Sequence, residues 1–322
     1  MSDTTIPSNK QTLGMLSVAA GVSVFSLQDA IIKGLSGNFP VHEIVFVRSS
    51  VALPILLVVM MAEARGRPAL SRLGLHLLRG LLMFFAFTGY YLAIAQLQLA
   101  QAIALFFTAP LFLTALSGPV LGERIHPRSW VAVAIGGAGV LTVLRPGVGD
   151  LDPALFLPVL SAFAYALSAL CARRLGATES GGAMALTAAA VYMLASAAAG
   201  LALVGLAPPA DAHPSIKFLL DPWHWPDARD LGLMAACGVI SAVAFFFLGH
   251  GYRLAEANRA APFEYASLPW GILWGFVFFD NLPDLATVLG AVVIVYGGLY
   301  ALRLDFGGLR RKTPFLTLSD ED

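Results

Sequence analysis

Apolar runs of about twenty residues recur along the whole chain, separated by short polar turns. They lie near Thr12–Leu35, Val41–Ala62, Leu70–Ala95, Leu99–Leu121 and Ser129–Leu144, then near Pro153–Cys171, Ala183–Leu206, Leu231–Tyr252, Ala260–Phe279 and Asp284–Leu302. A helix rises 1.5 Å per residue, so ~20 apolar residues cross a hydrocarbon core ~30 Å thick. No stretch alternates with period two at barrel length, and unpaired backbone is costly in lipid, so each run is expected to be helical. The pattern predicts an all-α membrane protein with ten transmembrane helices. The first run follows a polar stretch, residues 1–11, and is too long for the core of a signal peptide, so it is read as the first span.

Composition agrees with this solvent. The 322 residues are 58% hydrophobic and 12% charged, well short of the ~25% charge of a soluble chain. The formal charge is zero, with 20 Lys+Arg against 20 Asp+Glu, which removes a basic surface for nucleic acid and leaves charge placement as the useful signal. One set of loops and ends carries Lys10, Arg65, Arg67, Arg72, Arg124, Arg128, Arg173, Arg174, Arg253, Arg259, Arg303, Arg310, Arg311 and Lys312; the other carries Arg145, Lys217 and Arg229. Basic loops stay on the cytoplasmic side, so both termini are expected there, in a multi-pass protein of the bacterial inner membrane. Cys171 and Cys237 fall inside apolar runs and are read as small buried hydrophobes.

The chain also repeats itself. Gly80 and Gly238, Phe87 and Phe245, Ala102 and Ala260, Gly139 and Gly297, and Arg145 and Arg303 all stand 158 positions apart. For the first helix of each half the offset is 140, matching Lys33 with Arg173 and Leu35 with Leu175; the 18 residues of difference fall in a long connection, residues 208–230. Two five-helix repeats, residues 12–145 and 153–303, would therefore enter the membrane from opposite sides. Inverted repeats are the architecture of alternating access. Residues 304–322 form a basic then acidic cytoplasmic tail. Gly118-x-x-x-Gly122 and Gly271-x-x-x-Gly275 offer close helix approach.

Ala109-Pro110 followed by Leu121-Gly122-Glu123-Arg124, the glycines Gly136, Gly137 and Gly139, and Pro262-Phe263-Glu264-Tyr265 resemble the EamA-type carriers of the drug/metabolite transporter superfamily. The likeness runs from Thr12 to Arg303; Asp280-Asn281 departs from the Gly-Glu usual between Phe279 and Pro283. The resemblance implies a small-metabolite carrier. The strings Asp29-Ala30-Ile31-Ile32-Lys33 and Val45-Phe46-Val47-Arg48 look most like the subgroup with riboflavin and S-adenosylmethionine uptake carriers, while amino-acid exporters compete closely.

Charges inside spans face the interior or an aqueous path. By rise per residue, Asp29 and Arg48 lie roughly 9–10 Å below the outer surface, and Arg79 and Glu264 at roughly 7–10 Å from the inner one, so each pair is placed to meet. They are the expected gates or substrate contacts; Lys33 is read as a snorkelling anchor. Between the layers lie Tyr90, Tyr91, Phe106, Phe107, Tyr265, Trp270 and Trp274, whose ring faces suit a planar heterocycle or a cation. No phosphate-binding loop, His-Glu-x-x-His, Cys-x-x-Cys or Gly-x-Ser-x-Gly occurs, so neither a cofactor nor enzymatic activity is expected. The expected partners are the lipid bilayer and a small-molecule substrate, with a monomer and a homodimer equally compatible.

Overall fold

The computed structural model describes residues 8–63, 72–122, 127–146, 152–175, 181–254 and 261–309, and among these no strand occurs. The helices are α1 (Ser8–Leu35), α2 (Val41–Glu63), α3 (Leu73–Ile94), α4 (Leu99–Phe106), α5 (Ala109–Leu121), α6 (Pro127–Leu144), α7 (Phe156–Leu175), α8 (Gly181–Ala202), α9 (Pro214–Leu220), α10 (Ala228–Leu254), α11 (Ser267–Phe279) and α12 (Leu285–Leu309). Short 3-10 turns at Pro153–Leu155 and Ala261–Ala266 lead into α7 and α11. Among the described residues, seven helices are long and apolar enough to cross a membrane, with Leu99–Val120 counted across its break, and Ser129–Leu144 and Leu285–Tyr300 are shorter apolar helices. The chain is an all-helical membrane protein. Many large apolar side chains, among them Val58, Leu194 and Val292, point outward, as a bundle immersed in lipid requires.

The apolar run expected as one helix over Leu99–Leu121 is two. Pro110 has no N–H to give the carbonyl of Phe106, and its ring crowds that carbonyl, so α4 stops there and α5 restarts at Ala109. The same interruption recurs 158 positions later. There α11 spans Ser267–Phe279, matching α5 residue for residue, and both end on a left-handed cap, Gly122 (φ 74°) and Asp280 (φ 52°). The start of α12 at Leu285 likewise lies 158 positions after the start of α6 at Pro127.

The most extensive packings are α1 on α10, α3 on α7, α2 on α8 and α6 on α12. The last is backbone against backbone: a β-carbon on Gly139 would stand 2.8 Å from the Gly290 carbonyl oxygen, and one on Gly297 2.8 Å from the Gly136 nitrogen. Such approach needs residues without side chains. Gly122 does not serve this purpose, because it turns the chain at the end of α5 with open space at its Cβ position.

The connection between α8 and α10 is ordered. It contains α9, whose first residues are capped by His213: Nδ1 accepts from Ser215 N–H (3.2 Å), leaving Nε2 to donate to Asp152 (3.1 Å). Ser215 Oγ donates to the Leu92 carbonyl (2.7 Å), Phe218 is fully buried, and the Trp223 indole donates to His42 at the start of α2. This lid thus covers the molecular face formed by the ends of α1 and α3 and the starts of α2 and α7.

Candidate functional site

A cavity of about 340 Å³ lies between α1, α3, the α4–α5 break, α7, α10 and the Ala261–Ala266 turn. It reaches from Asp29, Tyr90 and Tyr91, in the last two turns of α1 and α3 on the lid side, to Leu113, Ala169 and Leu248, toward the face opposite the lid. Both interrupted helices contribute their breaks to its wall, where Phe106 and Phe107 from one meet Glu264 and Tyr265 from the other.

Nine of the 22 lining residues are aromatic. Phe106 lies against Tyr90 (centroids 5.2 Å) and Tyr165 (5.5 Å), and Phe107 against Tyr265 (4.6 Å). Asp29 and Glu264 are the charged residues on this wall among the described residues. Among the described residues the Tyr265 hydroxyl has no hydrogen-bond partner, and it is buried against Gly298 of α12, which leaves room for it only by lacking a side chain.

Asp29 and Arg48, expected to pair, are each taken by a tyrosine instead. Tyr90 donates to Asp29 Oδ2 (3.1 Å), and Arg48 Nη1 donates to the Tyr91 hydroxyl (2.6 Å). The guanidinium also lies over the Tyr91 and Tyr192 rings, 5.4 and 5.5 Å from their centroids. Gln28 completes this cluster. The amide orientation that satisfies every neighbour has its oxygen accepting from Arg48 (2.9 Å) and Tyr91 (3.0 Å), and its nitrogen donating to the Cys237 carbonyl (3.0 Å) and Ser241 (2.5 Å). Arg48 faces a separate hollow of about 20 Å³, room for about one water, and Phe25, Phe87, Tyr91 and Phe245 border both this hollow and the main cavity.

The remaining candidates lie outside the cavity wall. Arg79 Nη1 donates to the Met184 carbonyl on α8 (2.9 Å). Trp270 and Trp274 stack on each other (5.4 Å), and Trp274 donates to Ser26 (3.0 Å), whose other side faces the cavity. Lys33 does not snorkel. Its ammonium donates to the Ile94 and Leu97 carbonyls (2.6 and 2.9 Å) and lies 5.3 Å from the Phe279 ring centroid, tying α1 to the end of α3 beneath the lid. Free carbonyls at a helix end are a natural seat for an ammonium. Gln28, Tyr165 and Tyr192 were not singled out in sequence, where an uncharged residue in an apolar run gives no signal of which way it faces.

Residues 12–145 match the EamA-like transporter family. The chain is similar to the S-adenosylmethionine uptake transporter of Rickettsia conorii, 26% identical over 287 residues that cover 89% of this chain and 91% of the relative. It is similar to the riboflavin transporter of Rhizobium johnstonii, 32% identical over 247 residues covering 73% and 76%. A third relative is the pseudopaline exporter CntI of Pseudomonas aeruginosa, 28% identical over 293 residues covering 88% and 93%.

Proposed function

Because the chain belongs to the EamA-like transporter family, we propose that it is a secondary carrier of the bacterial inner membrane that moves a small organic metabolite by alternating access. In this reading it is a transporter and not an enzyme, built of ten spans in two inverted five-helix halves with both termini in the cytoplasm. Several observations support the plan. The helices α5 and α11 are coextensive at the 158-residue offset and share a left-handed cap. The packing of α1 on α10 is mirrored by that of α7 on α3, as a two-fold axis in the membrane plane requires. With α4–α5 as one span and the Ala261–Ala266 turn plus α11 as another, the span count becomes ten.

The substrate reading rests on one observation, the aromatic cavity with Asp29 and Glu264 as its charged groups. Flat rings stack on planar heterocycles and attract cations, and carboxylates reinforce the second preference. We therefore assign the carrier a planar, positively charged metabolite, with S-adenosylmethionine uptake as the leading case and riboflavin, planar but uncharged, as its comparator.

Purified protein in proteoliposomes tests this directly. Labelled S-adenosylmethionine should enter faster than into empty liposomes, and Glu264→Gln and Tyr265→Ala should slow it. Equal entry with and without protein for both S-adenosylmethionine and riboflavin overturns the substrate reading. Loading the same label inside and following its exit reads direction.

A further inference from the structure

Consecutive residues Tyr90 and Tyr91 present their hydroxyls to opposite charges. Tyr90 donates to the Asp29 carboxylate at 3.1 Å, and Tyr91 accepts from the Arg48 guanidinium at 2.6 Å. One hydroxyl thus serves as a donor beside an acid, and its neighbour as an oxygen acceptor beside a base, with ring centroids 5.8 Å apart. An ammonium is a donor and a carboxylate an oxygen acceptor. Both are held on one carbon in an α-amino acid.

Arg48 is otherwise hard to account for. It is 6% exposed, deep in an apolar bundle, and its hydrogen-bond partners are the neutral groups Tyr91 and Gln28. A buried guanidinium without a bidentate acid partner is costly, since its planar fork is matched by a carboxylate. The hollow beside it is too small for a carboxylate as it stands. Four aromatic residues, however, border both this hollow and the main cavity: Phe25, Phe87, Tyr91 and Phe245. Withdrawal of the Tyr91 ring joins the two spaces and opens the guanidinium to whatever the cavity holds.

We propose that Asp29 and Arg48 are the two poles of a subsite for the zwitterionic headgroup of an α-amino acid, which the Tyr90 and Tyr91 hydroxyls occupy in this state. Asp29 takes the ligand ammonium in place of the Tyr90 hydroxyl; Arg48 takes the carboxylate in place of the Tyr91 hydroxyl. The rest of the ligand extends toward Phe106, Phe107, Tyr265 and Glu264. The proposal rests on the cavity being the substrate site. It narrows the substrate from planar cations in general to compounds bearing an amino-acid end, a requirement that riboflavin does not meet.

The test uses pairs that differ only in the carboxylate: S-adenosylmethionine and its decarboxylated form, L-phenylalanine and phenethylamine, L-methionine and 3-(methylthio)propylamine. Affinity is read from the ligand-dependent rise in melting temperature of purified full-length protein. In at least one pair the acid should bind ~10-fold or more tighter than its amine, the loss typical of a charge-assisted pair. Arg48→Gln should erase that gap and Arg48→Lys retain part of it. Tyr91→Phe, which removes the competing hydroxyl and keeps the ring, should widen it. The proposal is overturned if no acid outbinds its amine, or if the gap survives Arg48→Gln. Should Arg48→Gln fail to fold, a Tyr91→Phe gap equal to or narrower than that of the unchanged protein overturns it. Failure of the transport reading looks different: amino acids bind with the gap, but none crosses proteoliposomes. Riboflavin entry without any amino-acid binding sinks the headgroup and leaves transport standing.

Discussion

Phe107 and Tyr265 stand 158 positions apart in the chain, one at each helix interruption, and their rings meet with centroids 4.6 Å apart and planes inclined by 59°. Each ring is where it is because the helix that carries it cannot continue: Pro110 follows one, and the 3-10 turn Ala261–Ala266 holds the other. Interrupted helices free backbone and side chains at mid-membrane, and that is tolerated where they line a cavity.

Tyr265→Ala should therefore weaken substrate binding and slow uptake, while Tyr265→Phe should leave both nearly unchanged, because the hydroxyl has no hydrogen-bond partner among the described residues. The aromatic pair is worth ~0.5–1.5 kcal/mol beyond burial. Gly298→Ala should mimic part of the loss, since a methyl group there collides with the Tyr265 hydroxyl and drives the ring into the cavity. Binding isotherms from thermal shift, together with initial uptake rates, check all three.

The α6–α12 contact makes a sharper prediction about stability. Gly139→Ala places a methyl group 2.8 Å from the Gly290 carbonyl oxygen and should cost ~1–3 kcal/mol, as overpacking does. Gly137→Ala, two positions away with open space at its Cβ position, should be neutral or slightly stabilising through helix propensity. Melting temperatures of the two variants in one detergent decide it; equal values would mean that the helices part easily.

Arg145 and Asp284 form an ion pair at the ends of α6 and α12 on the lid face. The Arg145 guanidinium beside Asp284, helped by the Thr287 N–H (2.9 Å), pulls its carboxyl down from 3.8 to about 2. A folded value below the unfolded one adds stability above about pH 4, and that contribution disappears as pH falls through 2. The melting temperature of the unchanged protein should thus exceed that of Asp284→Asn at pH 5 to 7, with the gap closing toward pH 2. The side chain of Asp284 is 52% exposed, so the gap should be small and shrink with salt.

Lys33→Met should loosen the seal beneath the lid, because two carbonyls at the end of α3 and the α3–α4 turn lose their ammonium. With Cys171 and Cys237 replaced by alanine, a reporter Ser26→Cys on the cavity wall should react faster with a membrane-impermeant thiol reagent from the lid side. An unchanged rate would place the seal elsewhere, in α9 or the Trp223–His42 contact.

Hydropathy located the seven helices that, among the described residues, are long and apolar enough to cross a membrane, because a lipid-facing bundle cannot hide its composition. It missed the break at Phe107–Thr108, for the run Leu99–Leu121 carries no charge and stays apolar on average across the break, where the signal was Pro110. Counting rise along each helix set Asp29 and Arg48 at one depth, and they do lie in one neighbourhood. Depth is one coordinate of three, however. The azimuth that gave Asp29 to Tyr90 and Arg48 to Tyr91, and turned Trp270 and Trp274 onto each other behind Ser26, depends on packing that no single helix encodes. The same limit explains Arg79, whose reach to the Met184 carbonyl is set by how α3 and α8 cross. Among the glycines that spacing suggested, Gly271 does pack closely, on Ile103 of α4, while Gly122 caps α5 and so cannot be its packing face; the backbone-to-backbone contact fell to Gly139 and Gly290.

The lid lies in the connection that carries the 18 residues by which the second half is longer than the first. On the two-halved plan, identical halves would make the inward-open and outward-open carrier mirror images of equal energy, and the substrate gradient alone would decide which was populated. The connection holding α9 breaks that equality, since its bonds to Leu92, His42 and Asp152 are made on one face only. On that plan, the difference in energy between the two orientations lies in a stretch of chain outside the cavity wall. Its length and its few polar bonds are a dial for the resting orientation, adjustable by mutation without disturbing what the cavity recognises.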